Sequence, residues 1–366
     1  MNYDVVIVGT GPAGTTAGTL LARRGLRVAV IGQGRFPRDD AGIGWVGSKV
    51  VPLLDETGAD TGPILSCPIN DVRFFHAEQA KSAAPELPGA PGFVIDRAAF
   101  ENTLIETAIA AGAELTHEST VTDVLVREDA VAAQVEDREP IRGRILLLAA
   151  GRHSSLANRL GLGVPAGTCW SAYLHVPSTS AGATDKHSVG IVLGLTRDGG
   201  FGLTVASHGR MAVAVSVPGS QAEAVAVLNR LCRLIAERSI GPADLESRAD
   251  HVIAVPLPLG ALEMESHVGK HALVIGEAGG FLSAVSGEGI VPGIWSAKIA
   301  ADVTAAALKS RRSQDKLMTF DTRWRLEMAD YLRQPNTDME FLIPLVFSNQ
   351  PIADRMAAAF FLGDNI

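Results

Sequence analysis

Gly9, Gly11 and Gly14 stand in the order Gly-x-Gly-x-x-Gly, directly after the apolar run Asp4–Val8 and at the head of Pro12–Arg24, a stretch of helical composition. That spacing suits the holding of a pyrophosphate. Gly9 permits a tight turn out of a strand, Gly11 lets backbone amides approach phosphates, and Gly14 lets the helix pack close to the sheet. The helix start, with Pro12 and Ala13 in its first turn, adds unpaired N–H groups and the positive end of the helix dipole. Arg27–Ile31 reads as a second strand, which places the glycines in a β-α-β unit, where the motif is far more specific than alone. An acidic residue normally follows that second strand and accepts hydrogen bonds from the adenosine ribose. Gly32 occupies the position instead, leaving Gln33 or a backbone carbonyl as the substitute. Loss of a charge-assisted bond costs about 1–3 kcal/mol. The expectation is a dinucleotide site with a loosened adenosine end.

Other chemistry is sparse. None of the nine histidines has a metal-ligand or triad spacing, and no Gly-x-Ser-x-Gly elbow occurs. No metal site is expected and no catalytic side chain is assigned. Cys67, Cys169 and Cys232 are odd in number and widely spaced, so they read as small buried hydrophobes rather than a disulfide framework. If a bound cofactor supplies the chemistry, the protein has only to position substrate and exclude water.

The elements that position these residues fall into two patterns. Val121–Val126, Ala130–Glu136 and Ile145–Ala149 read as strands, and Arg97–Gly112 as an amphipathic helix with Phe100, Leu104, Ile105 and Ala108 on one face. Residues 51–59 read as a helix. Between 169 and 217, short alternating runs split by turn residues mark an antiparallel sheet. Ala222–Arg238 is helical, parallel-type signals return at HALVIGEAGG, and a long helix spans Pro292–Lys309. The nucleotide-binding layers are therefore split by an inserted antiparallel domain.

Composition sets the limits. The chain has 366 residues, 47% of them hydrophobic and 20% charged, as in ordinary globular proteins. A net charge of −8 and only 5% aromatics argue against nucleic acid or an anionic membrane as partner. The sequence goes almost at once into a strand, without a basic leader, and no stretch has the length of a membrane span. A cytoplasmic location without a transmembrane segment is expected.

The stretch HALVIGEAGGFLSAVSGEGIVPGIWSAKIAADV strongly resembles the C-terminal flavin motif of the class A flavoprotein monooxygenase and geranylgeranyl-reductase-like superfamily, which includes the flavin-dependent halogenases. Gly276-Glu277-Ala278, Gly280-Phe281 and Gly287-Glu288-Gly289-Ile290 match its order and spacing. FVIDRAAFENTL resembles the family's Asp-Arg helix start, with Arg97 the match. LLLAAGRHSSLANRL resembles the turn closing the nucleotide domain, with Gly151 and Ser154 the matches, and Arg35–Arg38 resembles the segment after the second strand. The resemblance covers nearly the whole chain. It implies FAD as the dinucleotide, bound by Gly9, Gly11, Pro12, Ala13, Gly14, Gln33, Arg97, Gly151, Gly276, Glu277, Gly287, Gly289 and Ile290. The turn at Gly287–Ile290 opens a helix, and its N–H groups and dipole, aimed at the flavin pyrimidine edge, would favour the anionic reduced ring. Glu288 reads either as a solvated turn acid or as part of that contact.

The implied fold is α/β: a Rossmann-like FAD-binding domain of the glutathione-reductase type, with an inserted antiparallel-sheet substrate domain and C-terminal helices. The expected boundaries are 1–75, 93–165 and 263–310 for the FAD-binding domain, 76–92 and 166–262 for the substrate domain, and 311–366 for the helical segment. Departures narrow the chemistry. Ala150 and Ala157 stand where the family has Asp and Arg, and Glu277 replaces Asp. Ala41 takes the place of the reductases' cysteine, Gly42-Ile43-Gly44 replaces a Gly-Glu-Ser of halogenase-like relatives, and the halogenases' Trp-x-Trp-x-Ile-Pro signature is absent. The leading expectation is an FAD-dependent monooxygenase that hydroxylates a largely apolar substrate through a flavin hydroperoxide, with NAD(P)H as electron donor. The alternatives are a flavin-dependent alkene reductase of prenyl type and a flavoprotein-like maturation factor acting on a partner protein. The apolar C-terminus, from Met339 onward, reads as a core-capping helical pair, or else as a substrate tunnel, partner surface or shallow membrane contact.

Overall fold

Val5–Val8 is buried on both faces, as its unbroken β-branched run requires. It pairs in parallel with Val28–Ile31 on one side and Ile145–Leu148 on the other. The computed structural model describes residues 3–37, 42–153, 155–165, 167–177, 187–207, 210–241, 245, 251–335 and 337–364. Arg38, Ala41 and Ser154, singled out in the sequence, lie outside the described residues.

Six strands make the first sheet, in the order Val268–Gly269, Ala272–Val274, Ile145–Leu148, Val5–Val8, Val28–Ile31 and Glu114–Thr116. All neighbours are parallel except the first two. The helix Pro12–Ala22 lies on this sheet between the helices Arg97–Ala110 and Ile290–Lys309. Its Gly, Ala and Thr residues let it approach closely, and every residue from Ala13 to Ala22 is buried. Asp96 caps the Arg97–Ala110 helix by accepting from Ala99 N.

Seven strands make the second sheet, in the order Ile253–Leu259, Gly167–Pro177, Arg210–Pro218, Phe201–Ser207, Ser188–Leu193, Asp71–His76 and Ser82–Ala83. The antiparallel pattern expected for 169–217 holds, with one addition: Ser188–Leu193 pairs in parallel with Asp71–His76. A parallel partner must arrive from far along the chain, so local alternation carries no sign of it. One face of this sheet is covered by the helix Gln221–Glu237, started by a capping box between Ser220 and Glu223. Part of the other face packs against the helices Met339–Val346 and Gln350–Leu362.

Those two C-terminal helices are core-capping. Leu342, Ile343, Val346, Ala353, Met356, Ala357, Phe360 and Phe361 are buried in one cluster with Phe74, Val189, Ile191, Leu203 and Val205 of the sheet. Phe360 stacks on Trp45 at 5.5 Å, and Phe361 meets the same ring edge-on at 5.3 Å. Trp45 belongs to a small sheet of Trp45–Gly47, Gly92–Val94 and Cys67–Pro68 that the sequence does not announce, its strands being too short to show a period. The helix read over 51–59 is shorter, Val50–Asp55. Among the described residues, no helix is long and apolar enough to cross a membrane, and no cluster of His, Cys, Asp or Glu could hold a metal ion.

Candidate functional site

The Gly9–Gly14 turn is closed behind and open in front. Gly9 has φ +118°, and a Cβ there would collide with the Ala149 carbonyl. A Cβ on Gly14 would strike the Gly9 carbonyl, whereas one on Gly11 would have nothing within 4 Å. Gly11 is the N-cap of the helix, Pro12 opens its first turn, and no side chain caps it. Its first amides are thus left for a ligand, the condition for anion binding at a helix start. Gly276 lies against this turn, where an added Cβ would be 2.9 Å from the Ala13 Cβ, so the distant Gly-Glu-Ala motif is part of the same wall. Ser296 fixes it there by accepting from Gly276 N at 3.0 Å while donating to the Gly293 carbonyl at 2.8 Å.

Gly32 has a steric cause. A Cβ on it would sit 2.5 Å from Thr10 Oγ1 and 2.6 Å from Thr10 Cγ2. Thr10 is itself buried, at 4% exposure. The pair therefore excludes an acidic side chain at the end of the second strand. Gln33, the candidate substitute, is exposed beside it.

The second glycine turn has a different character. Gly287 N donates to the Ser283 carbonyl at 2.8 Å, Ser283 N to the Glu288 carbonyl at 2.8 Å, and Gly289 is the N-cap of the helix Ile290–Lys309. The amides of Ile290 and Val291 are already engaged: both donate to Glu288 Oε1, at 2.6 and 2.9 Å. Tyr331, from the helix Ser313–Leu332, donates to Glu288 Oε2 at 3.1 Å. Glu288 is therefore no solvated turn acid; it is 6% exposed. Burial lifts its carboxyl pKa to about 7, against the opposing pull of those three hydrogen bonds and of Arg97. Burial and the facing carboxylate raise the Tyr331 phenol as well.

Arg97 and Glu277 complete the ring. Arg97 Nε pairs with Glu101 Oε1 at 2.6 Å. Burial works against its charge, but Glu101, with Glu277 and Glu288 behind, outweighs it and raises the pKa. Glu277 sits in the short turn Gly276–Gly279, with one carboxylate oxygen facing Gly151 and the other Gly289. The structure thus brings Gly9, Gly11, Pro12, Ala13, Gly14, Gly151, Gly276, Glu277, Gly287, Gly289, Ile290 and Arg97 around one region and leaves Gln33 at its exposed margin.

A cavity of about 430 Å³ opens there. One wall is Arg97, Glu277 and the Gly287–Ile290 turn; the other is the seven-stranded sheet, through Leu203, Ile253, Val255, Leu257, Ser171 and Ser216. Trp45 also lines it. A larger groove of about 1140 Å³ shares Phe201, Ser216 and Gly287 with this cavity and continues outward past Cys169 and Arg333.

Comparisons with known proteins give the family and the fold. Residues 2–333 match the family model described as FAD binding domain, so the chain belongs to that family. The chain is 25% identical over 344 residues to the digeranylgeranylglycerophospholipid reductase 2 of Methanothermobacter thermautotrophicus, covering 91% of this chain and 86% of that protein. It is 27% identical over 330 residues to the geranylgeranyl diphosphate reductase of Rhodobacter capsulatus, covering 86% and 78%. Its fold is shared with a geranylgeranyl bacteriochlorophyll reductase-like protein of Thermoplasma acidophilum, with a TM-score of 0.78 at 17% identity over 98% and 96% of the two chains. The protein is an FAD-dependent oxidoreductase with the α/β FAD-binding fold and accompanying antiparallel sheet of the class A superfamily.

The residues present fit FAD. The uncapped helix start at Gly11 and the open space before it suit a pyrophosphate, and the cavity beside Gly287–Ile290 suits a ring with apolar substrate against it. Three features escaped the sequence reading: the Thr10–Gly32 contact, the self-capping Glu288, and the serines on the sheet wall. The Ser171 and Ser216 positions could have been flagged as polar breaks in otherwise apolar strands.

Proposed function

We propose that this protein is a flavin-dependent reductase that saturates carbon–carbon double bonds in an isoprenoid-like, largely apolar substrate, with NAD(P)H as the source of electrons. The observation that carries the reading is the apolar sheet wall of Leu203, Ile253, Val255 and Leu257 facing the Gly287–Ile290 turn across the cavity. Such a wall binds a hydrocarbon chain through burial alone, at about 25 cal/mol per Å² removed from water. The two prenyl reductases similar along most of their length support reduction over the hydroxylation expected from sequence.

In this reading Gly9–Gly14 and the helix start at Pro12 hold the pyrophosphate. Bound FAD supplies hydride chemistry, and this chain's own groups bind, orient and exclude water. Arg97, on the cavity's flavin side, is held in an ion pair with Glu101. Glu288 keeps the start of the Ile290–Lys309 helix ordered and, with a pKa of about 7, is able to hold or release a proton there.

The test is anaerobic turnover of the FAD-loaded protein with an isoprenoid alkene and NADPH, the product read by mass spectrometry. Gain of two hydrogens per double bond is expected. Product formation only with oxygen, with an added oxygen atom, would replace the reading with a monooxygenase. FAD retention only in the presence of another protein would favour a maturation factor.

A further inference from the structure

On the strand Gly167–Pro177, residues 169, 171 and 173 face away from the helix Gln221–Glu237, because Ala172, Leu174 and Val176 pack against that helix. Ser171 therefore stands on the cavity side and lines the cavity. It is 2% exposed, and its hydroxyl has no hydrogen-bond partner among the described residues. Buried hydroxyls are ordinarily satisfied, so an unpaired one on a residue that lines a cavity, within a side-chain rotation of it, marks a place for a ligand atom. Ser216, its cross-strand neighbour, is occupied otherwise: its Oγ lies 3.3 Å from the Cys169 thiol.

We propose that Ser171 binds an uncharged oxygen, alcohol or carbonyl, on the otherwise apolar substrate, and so sets the substrate specificity of this cavity. The neighbours define the chemistry. Opposite Ser171 on the flanking strands stand Val255 and Ser216, and beside it on its own strand stand Cys169 and Tyr173. None of these strand neighbours is cationic, and the arginines that line the cavity, Arg97 and Arg152, come from other elements. A phosphate or carboxylate bonded to Ser171 would therefore have no counter-charge on the sheet wall itself, which is costlier than burying a neutral oxygen there. Arg97, on the opposite wall, is held by Glu101. A hydroxyl that donates to the oxygen anchors one point of a chain whose remainder lies on Leu203, Val255 and Leu257. A site built around such a donor rejects the analogue lacking the oxygen. The assignment rests on the proposed use of this cavity for an apolar substrate but is tested by binding alone.

The experiment titrates the FAD-loaded protein with an isoprenoid alcohol, its aldehyde, its diphosphate ester and the hydrocarbon of equal chain length, following the flavin difference spectrum. The wild type is expected to bind the alcohol and aldehyde about tenfold or more tighter than the hydrocarbon. Ser171→Ala is expected to bring that ratio to about two or less by weakening the oxygenated ligands only, and Ser171→Thr to retain it. The melting temperature of Ser171→Ala does not fall, since the hydroxyl removed has no partner and its burial is unfavourable. Equal wild-type affinity for alcohol and hydrocarbon overturns the proposal without any variant, as does a preference that survives Ser171→Ala. Tightest binding of the diphosphate ester, lost in Ser171→Ala, overturns the uncharged assignment. Selective binding of the alcohol without reduction of any double bond keeps the Ser171 assignment and removes the reductase reading instead.

Discussion

Two helices begin at glycine turns on the same cavity region, and their free amides have opposite fates. At Pro12 the helix start has no side-chain cap and faces open space. At Ile290 the same kind of start is filled by Glu288, which takes two amides on one oxygen and a phenol on the other. A pyrophosphate carries its own charge and needs donors left bare. A neutral ring needs a turn of fixed shape, and an internal carboxylate supplies that at the expense of burying an acid. The difference shows how a helix dipole can serve a ligand directly at one end of a cofactor and serve the protein's own order at the other.

The comparison can be broken first at the pyrophosphate turn. Gly14→Val drives a side chain into the Gly9 carbonyl and is expected to destabilise the fold by more than about 4 kcal/mol, read by urea unfolding. Gly11→Val, where nothing of the protein stands in the way, should leave melting within about 2 °C of wild type. Its FAD affinity should nevertheless fall about 100-fold by calorimetric titration, a loss of nearly 3 kcal/mol. A Gly11→Val protein that binds FAD normally would mean the turn does not face the cofactor.

At the second turn the expected signature is a dependence on pH. The folded protein holds Glu288 at about 7, above its ordinary 4.5, so folding favours the protonated carboxyl. Stability therefore falls as pH rises between these values and levels off above about 7; the shift corresponds to something on the order of 3 kcal/mol. Glu288→Gln keeps an oxygen for the two amides and should abolish that fall. Unfolding of both proteins at about pH 5 and pH 8 checks the sign, because an ordinary exposed acid would give no difference.

A smaller effect is expected at the adenosine end. Gly32→Glu alone clashes with Thr10 and should weaken FAD binding. Combined with Thr10→Gly, the restored acid should recover about five- to tenfold tighter binding than the single variant, as a charge-assisted ribose bond would give. Binding by the double variant that is no tighter than by Gly32→Glu would show that Thr10 is not the obstacle. An effect of similar size is expected at Tyr331→Phe, which removes the phenol bond to Glu288, at a cost of about 1–2 kcal/mol. That bond lowers the Glu288 pKa, so its loss should move the pH transition upward.

The legible parts of this molecule were those written in backbone spacing. The Gly9–Gly14 turn, the Arg97 helix start and the Gly276 and Gly287 turns are local patterns whose geometry follows from glycine and a helix start. The hidden parts are side chains that meet across distance. Tyr331 reaches Glu288 from 43 residues away, and Ser171 meets Ser216 only through strand pairing. Thr10 and Gly32 touch because two adjacent parallel strands end side by side. No window of sequence contains both partners, so the missing acid is legible as a weakened ligand contact while its steric setting, the methyl and hydroxyl of Thr10, is not. The choice between hydroxylation and reduction was not legible either: the flavin motifs speak for the cofactor and are silent on what its electrons do.

Trp45 contributes to the cavity lining on one side and rests against Phe360 and Phe361 on the other. The back of the cavity is thus buttressed by the helix Gln350–Leu362, which supplies none of the glycine turns. Changes in its aromatic pair could lengthen or shorten the chamber while the redox machinery stayed as it was.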